Sequence, residues 1–171
     1  MTPDINFRDV GLALKEFGDD RLPPGRLLRS GQKCEKHILT RPPRTIIGLR
    51  TFPAWACPVA TYIHHPFPAG AVKYDGRDPR VHSWIEETLT LLDNDDYALP
   101  ILVHCAHGVD RTGMIISALL TALNVPFPVI AKEYTLSPGA DPIRFSRFWS
   151  DLSTYGPGLT LSLRNPHRFT A

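Results

Sequence analysis

Two kinds of apolar pattern alternate along this chain. Short apolar runs closed by turn formers predict strands: "RTIIGLRT" over 44–51, "ATYIHHPF" over 60–67, and "PILVHC" over 100–105, bounded by Pro100. Between and after them, apolar residues recur every three or four positions. "VHSWIEETLTLLDNDD" places Val81, Trp84, Ile85, Leu89 and Leu92 on one helical face, with Asp78 and Pro79 upstream as cap and first-turn proline. "RTGMIISALLTALN" is apolar on nearly all sides, as a helix packed at the centre of a sheet would be. "PFPVIAKEYTLS" and "DPIRFSRFWSDLSTYG" predict two more helices, the second opened by Asp141 and Pro142 and stopped by Gly156. Strands alternating with helices imply an α/β domain, a central mostly parallel sheet flanked by helices. No repeat, low-complexity tract or linker divides the chain, so residues 1–171 are expected to form a single domain.

Composition narrows the function classes. A length of 171 residues, 43% of them apolar, is enough to bury a sizeable core. A net charge of +2 argues against a dedicated nucleic-acid-binding surface, though it leaves room for a local basic pocket. Three scattered cysteines, Cys34, Cys57 and Cys105, do not suit a disulfide-stapled secreted fold; reduced thiols in a cytoplasmic protein fit better. The N-terminal "MTPDINFRDVG" has no signal-peptide pattern, and no run reaches the ~18 apolar residues of a membrane span.

The chemistry concentrates in "ILVHCAHGVDRTGMIISALL", residues 101–120, which reads as strand, loop and helix N-terminus. In parallel sheets, ligands bind at the carboxyl ends of strands, where this loop lies. A helix N-terminus offers unpaired N–H groups and a positive dipole end, and a loop curled over it adds donors, making a nest for an oxyanion such as phosphate. Gly108 permits the tight turn. Arg111 supplies a planar fork for two phosphate oxygens. The same positive potential favours the thiolate of Cys105, an activated nucleophile beneath a bound phosphate. The Thr112 hydroxyl is placed to hydrogen-bond that thiolate.

Cys105 and Arg111 with five residues between, Gly108 in the middle and Thr112-Gly113 following, resemble the cysteine-dependent protein tyrosine phosphatase superfamily. His104, the apolar strand before it and the apolar helix after it also fit. "NFRDVG" (6–11), "GRLLRSGQ" (25–32) and "EYTLSP" (133–138) resemble segments of the compact bacterial and fungal tyrosine or dual-specificity-like phosphatases. The resemblance implies a phosphatase-type α/β fold and hydrolysis of phosphate monoesters through a phosphocysteine, with no metal or organic cofactor. It also implies phosphate binding by Ala106, His107, Gly108, Val109, Asp110 and Arg111, and a general acid on a separate loop. "KYDGRDP" holds that place: Asp75, in "YDG", is the expected acid, and Asp78 reads more simply as a helix cap. Gly48 stands where many relatives carry an aspartate. Val109-Asp110 keeps the aspartate, but not the lysine, of the Lys-Asp pair common in phosphoinositide phosphatases. His107 resembles the loop of RNA 5′-triphosphatases.

Plainer readings accompany these. His104 orients the loop or merely packs at the strand end. His107 is a cationic substrate contact or a solvated loop residue. Asp110 is expected to cap the following helix rather than to brace the loop. His104, Cys105 and His107 lack the further ligands of a zinc site. The His64-His65 pair reads as structural, and the acids of "LDNDD" as a solvated turn at a helix C-terminus. Nothing in the spacing of Cys34 and Cys57 favours a regulatory disulfide with Cys105. A phosphoprotein is the first expected substrate. An inositol or lipid phosphate, or an RNA 5′ end, is the alternative that extra basic residues at the rim would favour, with Lys73, Arg77, Arg80 and Arg144 as candidates. A phosphate-binding module without turnover and a thiol redox protein complete the alternatives; the latter lacks Cys-x-x-Cys.

Overall fold

The computed structural model describes residues 6–32, 42–51, 60–156 and 161–171. Its elements run β1 (Arg8–Asp9), α1 (Val10–Glu16), β2 (Leu27–Ser30), β3 (Thr45–Gly48), β4 (Thr61–His64), α2 (Pro79–Leu92), β5 (Ile101–His104), α3 (Asp110–Ala122), α4 (Phe127–Thr135), α5 (Pro142–Tyr155) and α6 (His167–Thr170). The strands form one sheet in the order β1-β2-β5-β3-β4. Among the described residues only the β1–β2 pairing is antiparallel. The mixed α/β architecture expected from the alternation is therefore present, with β5 at its centre.

Register places the functional end. His104 closes β5 opposite Ser30 of β2 and Gly48 of β3, so three carboxyl ends finish level. All residues of β2, β3 and β5 are buried, as the centre of a parallel sheet requires. The strands are shorter than their apolar runs. The last rung of the β3–β5 ladder runs from Leu49 N–H to the His104 carbonyl, 2.9 Å away. β4, at the sheet edge, is only half buried.

The helices begin where the sequence marks them. Asp78 caps α2, its carboxylate accepting from Arg80 N–H at 2.9 Å, and Asp141 caps α5 through Arg144 N–H at 3.0 Å. Gly156 is the C-cap of α5. The acids after α2 correct an expectation in part. Asp93 accepts from Asn165 N–H at 3.1 Å, and Asp95 from the Asn165 side-chain amide at 3.2 Å. Arg168 Nε donates to the Leu92 carbonyl at 3.0 Å. Asp93 and Asp95 thus bind the C-terminal segment, while Asp95 and Asp96 stay exposed as a solvated turn would leave them, and Arg168 offsets the negative end of α2.

Alternation along the strands splits the core. Leu27, Ile47, Ile101 and Val103 join the large cluster formed with α1 to α5; Leu28, Ile46 and Leu102 form a smaller one with Phe7, Ala60 and Tyr62. Within the large cluster Tyr134 of α4 stacks on Phe145 of α5, ring centroids 4.0 Å apart. No helix among the described residues is long and apolar enough to cross a membrane.

Candidate active site

The loop from Cys105 to Val109 joins β5 to α3 and carries the expected nest. Gly108 has φ +70 and Val109 follows in right-handed helical conformation (φ −100, ψ −73), a pair that turns successive N–H groups to one side. Val109 is the N-cap of α3, and no side chain caps the helix. Among the described residues, the amides from Ala106 to Thr112 donate to no other group. A continuous run of backbone donors is thus left at a helix N-terminus, where an anion would complete them.

Two carbonyls of the same loop are held from outside it. Gln32 N–H reaches the Ala106 carbonyl at 3.0 Å. Arg29 Nη2 and Asn6 Nδ2 each reach the Gly108 carbonyl at 2.7 Å. Glycine at 108 is required twice over, by the positive φ and by space: a Cβ there would lie 2.4 Å from the Ser30 carbonyl carbon.

Cys105 is a free, buried thiol, 3% exposed. Arg111 Nη1 donates to the Leu49 carbonyl at 3.2 Å, which holds the guanidinium at the strand ends. Its Nε, and the Thr112 hydroxyl, are buried without a hydrogen-bond partner among the described residues. The expected Thr112–Cys105 bond is therefore not formed in this structure. His107 is exposed, whereas His104 is fully buried. Burial pushes the His104 imidazole down to about 4, with the Arg50 charge adding to the shift and a hydrogen bond to the Cys105 backbone opposing it. The ring is neutral at neutral pH and holds the first residue of the loop. Tyr62 packs near it, ring centroids 6.1 Å apart, in space a side chain at 48 would fill: a Gly48 Cβ would meet the Tyr62 hydroxyl at 2.1 Å.

The loop before α2 is tied to this one through Asp110. Its carboxylate bonds Lys73 Nζ and accepts from the Tyr74 hydroxyl at 3.1 Å. Asp110 is the first residue of α3 and makes no cap bond, so the expected capping role is corrected: α3 has no side-chain cap, and Asp110 reaches across to a neighbouring loop instead. Burial works to raise its pKa, but the hydrogen bond and charge of Lys73, with Tyr74 and Arg144, outweigh that and hold it below the usual carboxylate range. Tyr74 takes a left-handed φ of 65 and bonds the Tyr134 hydroxyl at 2.7 Å. Burial and that bond raise its pKa, keeping the phenol protonated.

Asp75 follows immediately, half-buried, its carboxylate accepting from Arg77 N–H at 3.1 Å. Gly76 then packs against α5 so closely that a Cβ would sit 2.6 Å from the Phe148 carbonyl oxygen. Asp75 is thus held between an inward tyrosine and a helix-packed glycine. Asp78 is engaged as the α2 cap and in an ion pair with Arg80 at 2.7 Å. The four candidate rim cations separate: Arg77 and Arg80 pair with Asp151 and Asp78, whereas Lys73 and Arg144 flank Asp110, Arg144 donating to the Lys73 carbonyl at 3.0 Å. Cys34 and Cys57 lie outside the described residues. Among those residues no group of His, Cys, Asp and Glu could hold a metal.

One constellation was not legible as such in sequence. Arg29, fully buried in β2, pairs with Glu133 of α4 at 2.6 Å, and Arg8 pairs with the other carboxylate oxygen at 2.8 Å. Arg8 and Arg29 also reach the Ser137 hydroxyl, at 3.0 and 3.2 Å. The signal was an arginine inside the apolar strand "LLRS", which demands an acid partner; which acid, sequence did not say.

The chain matches the model of the tyrosine phosphatase family over residues 72–151, from the Lys73-Tyr74-Asp75 loop to α5. No curated protein matches it. Among solved structures it is similar to P. aeruginosa TpbA, with 16% identity over 80% of this chain and 81% of that one and a TM-score of 0.55. It is also similar to the core catalytic domain of the PP-IP phosphatase SIW14 from S. cerevisiae, with 17% identity, 92% and 93% coverage and a TM-score of 0.58. Human DUSP28 matches at 18% identity, 78% and 89% coverage and a TM-score of 0.55. At these identities the likeness is one of fold.

Proposed function

We propose that this chain, which matches the tyrosine phosphatase family model over residues 72–151, is a cysteine-dependent phosphatase of that superfamily, and that residues 1–171 act as one domain that cleaves phosphate monoesters through Cys105. The observation that carries the reading is the run of undonated amides from Ala106 to Thr112, in the loop that begins at the buried thiol of Cys105 and leads into Arg111. The nest and the Arg111 fork bind the phosphate oxygens and stabilise the charge that builds on them in transfer. The same donors favour the Cys105 thiolate. The Sγ attacks phosphorus, a P–S bond forms and the P–O bond to the leaving group breaks. Asp75 supplies the proton that the leaving oxygen takes up. In the second step Asp75 accepts a proton from water, the water oxygen attacks phosphorus, and the P–S bond breaks to release phosphate and thiolate. The buried Thr112 hydroxyl donates to the sulfur as it departs. Every group these steps use belongs to the chain, and a cytoplasmic location suits a catalytic thiol.

A phosphotyrosine protein is the leading substrate. Lys73 and Arg144 beside the loop favour a second reading, an inositol phosphate or another substrate with more than one phosphate, and the likeness to a PP-IP phosphatase points the same way. Phosphate release with EDTA present, from a phosphotyrosine peptide, a phosphoserine peptide, inositol phosphates and a 5′-triphosphorylated RNA, separates the two. The proposal expects release that Cys105→Ser abolishes. Phosphate binding without release from any substrate would make the chain a binding module.

A further inference from the structure

The amide donors of the nest are useful only if their peptide planes are held in one orientation, and at Gly108 nothing intrinsic does this. A trans peptide sets its C=O and N–H on opposite sides. Turning the Gly108–Val109 plane over would replace the Val109 N–H with a carbonyl oxygen facing the anion, and glycine offers little steric resistance to the turn. Yet the Gly108 carbonyl is gripped from outside by two donors, Arg29 Nη2 and Asn6 Nδ2, both at 2.7 Å. Arg29 is fully buried, and its charge is balanced by Glu133, which Arg8 shares. Asn6 is held in turn by a hydrogen bond from Arg8 to its Oδ1, and it adopts a left-handed φ of 57. Two segments distant in sequence, at 6 and 29, meet at one carbonyl, and a third, 133–137, braces them from behind.

We propose that Asn6 and Arg29 are positioning residues that fix the Gly108–Val109 peptide, so that the Val109 N–H is presented to the bound phosphate. The proposal rests on the phosphatase reading of the same loop. Neither residue touches substrate. Their effect passes through the peptide plane: they govern oxyanion affinity, and reach the Cys105 thiolate only through the one amide donor they orient, leaving Asp75 untouched.

Asn6→Asp tests this at the partly exposed end of the network. It keeps the side-chain shape and the acceptor for Arg8 and removes the donor to Gly108, but adds a negative charge; Asn6→Ala, which removes the donor without that charge, is read beside it. Affinity for tungstate, measured by calorimetry, should fall about tenfold, the equivalent of one charge-coupled hydrogen bond. KM should rise with it, the limb of the kcat pH profile set by Asp75 should stay in place, and the thermal midpoint should stay within a few degrees. Arg29→Lys keeps the buried charge but cannot serve Glu133 and Gly108 together, and should weaken tungstate further. If Arg29→Lys does not fold, Asn6→Asp and Asn6→Ala still decide. Wild-type tungstate affinity in both Asn6 variants would overturn the proposal while leaving the phosphatase intact. A wild-type chain that neither binds tungstate nor releases phosphate would overturn the phosphatase reading, and this one with it.

Discussion

Replacing Gly108 with alanine separates two demands that the fold makes on this residue. The first is conformational: φ is +70, a region an L side chain enters at a cost of about 1–2 kcal/mol. The second is space. A Cβ at 108 would lie 2.4 Å from the Ser30 carbonyl carbon, 2.5 Å from its oxygen and 2.6 Å from Gly31 N, all of them backbone atoms at the end of β2. Strand backbone cannot rotate away as a side-chain tip would, so the loop must lift, at roughly a further 1–3 kcal/mol. Gly139 is the control. Its φ is +79, yet nothing lies within 4 Å of a Cβ there, so Gly139→Ala meets only the conformational demand. Urea unfolding of the two variants, at one pH and salt concentration, isolates the contact contribution as their difference, expected near ~1–3 kcal/mol. Because the loop lifts away from β2, Gly108→Ala should also lose tungstate binding, which Gly139→Ala should retain. Equal unfolding midpoints for the two variants, with tungstate affinity intact in both, would refute the argument that the nest is seated on the end of β2.

Other expectations follow from the same geometry. Asp75→Asn should lower kcat about 10²–10³-fold with little change in stability, whereas Asp78→Ala should lose an N-cap worth ~1 kcal/mol in a thermal melt and keep its turnover; the reverse pattern would exchange their roles. Glu133→Gln leaves two largely buried guanidinium groups short of a charge partner and should destabilise the fold by about 3–5 kcal/mol in urea titration; an unchanged midpoint would deny the ion pair its importance. For His104 the folded pKa is about 4 against 6.5 for the free group, so the unfolded chain binds the proton first as the pH falls. Its contribution is complete above about pH 6.5 and lost progressively towards pH 4, on the order of 3 kcal/mol in all. Urea midpoints of wild type and His104→Asn should converge as the pH drops through that window, and parallel curves would show that the ring titrates freely.

How far each feature could be read depended on the range of the interaction behind it. The helices were legible where local chemistry marks them: Asp78-Pro79 and Asp141-Pro142 open α2 and α5, and Gly156 ends α5, because a cap acts within one turn. β1, α1 and β2 were not read as elements. β1 has only two residues and α1 seven, too short for periodicity to speak. β2 carries Arg29 amid its apolar residues, and that arginine belongs in a strand only because Glu133, far along the chain, neutralises it. Asp110 shows the opposite failure. Position alone suggested a cap, but the residue begins α3 in helical conformation, and Lys73 and Tyr74 lie within its reach.

The chain order of strand, Cys105, Gly108, Arg111 and apolar helix is a local pattern, and local physics is enough to make it an anion nest at a helix N-terminus. Which carbonyls are turned outward, which cations lie beside Asp110 and what ties Tyr74 to Asp110 are long-range matters. They depend on β2 and β3 ending level with His104, and on α4 placing Glu133 and Tyr134 behind the loop. A buried charge or hydroxyl takes whatever partner the packing brings within about 3 Å, and that choice is made only when distant segments come together.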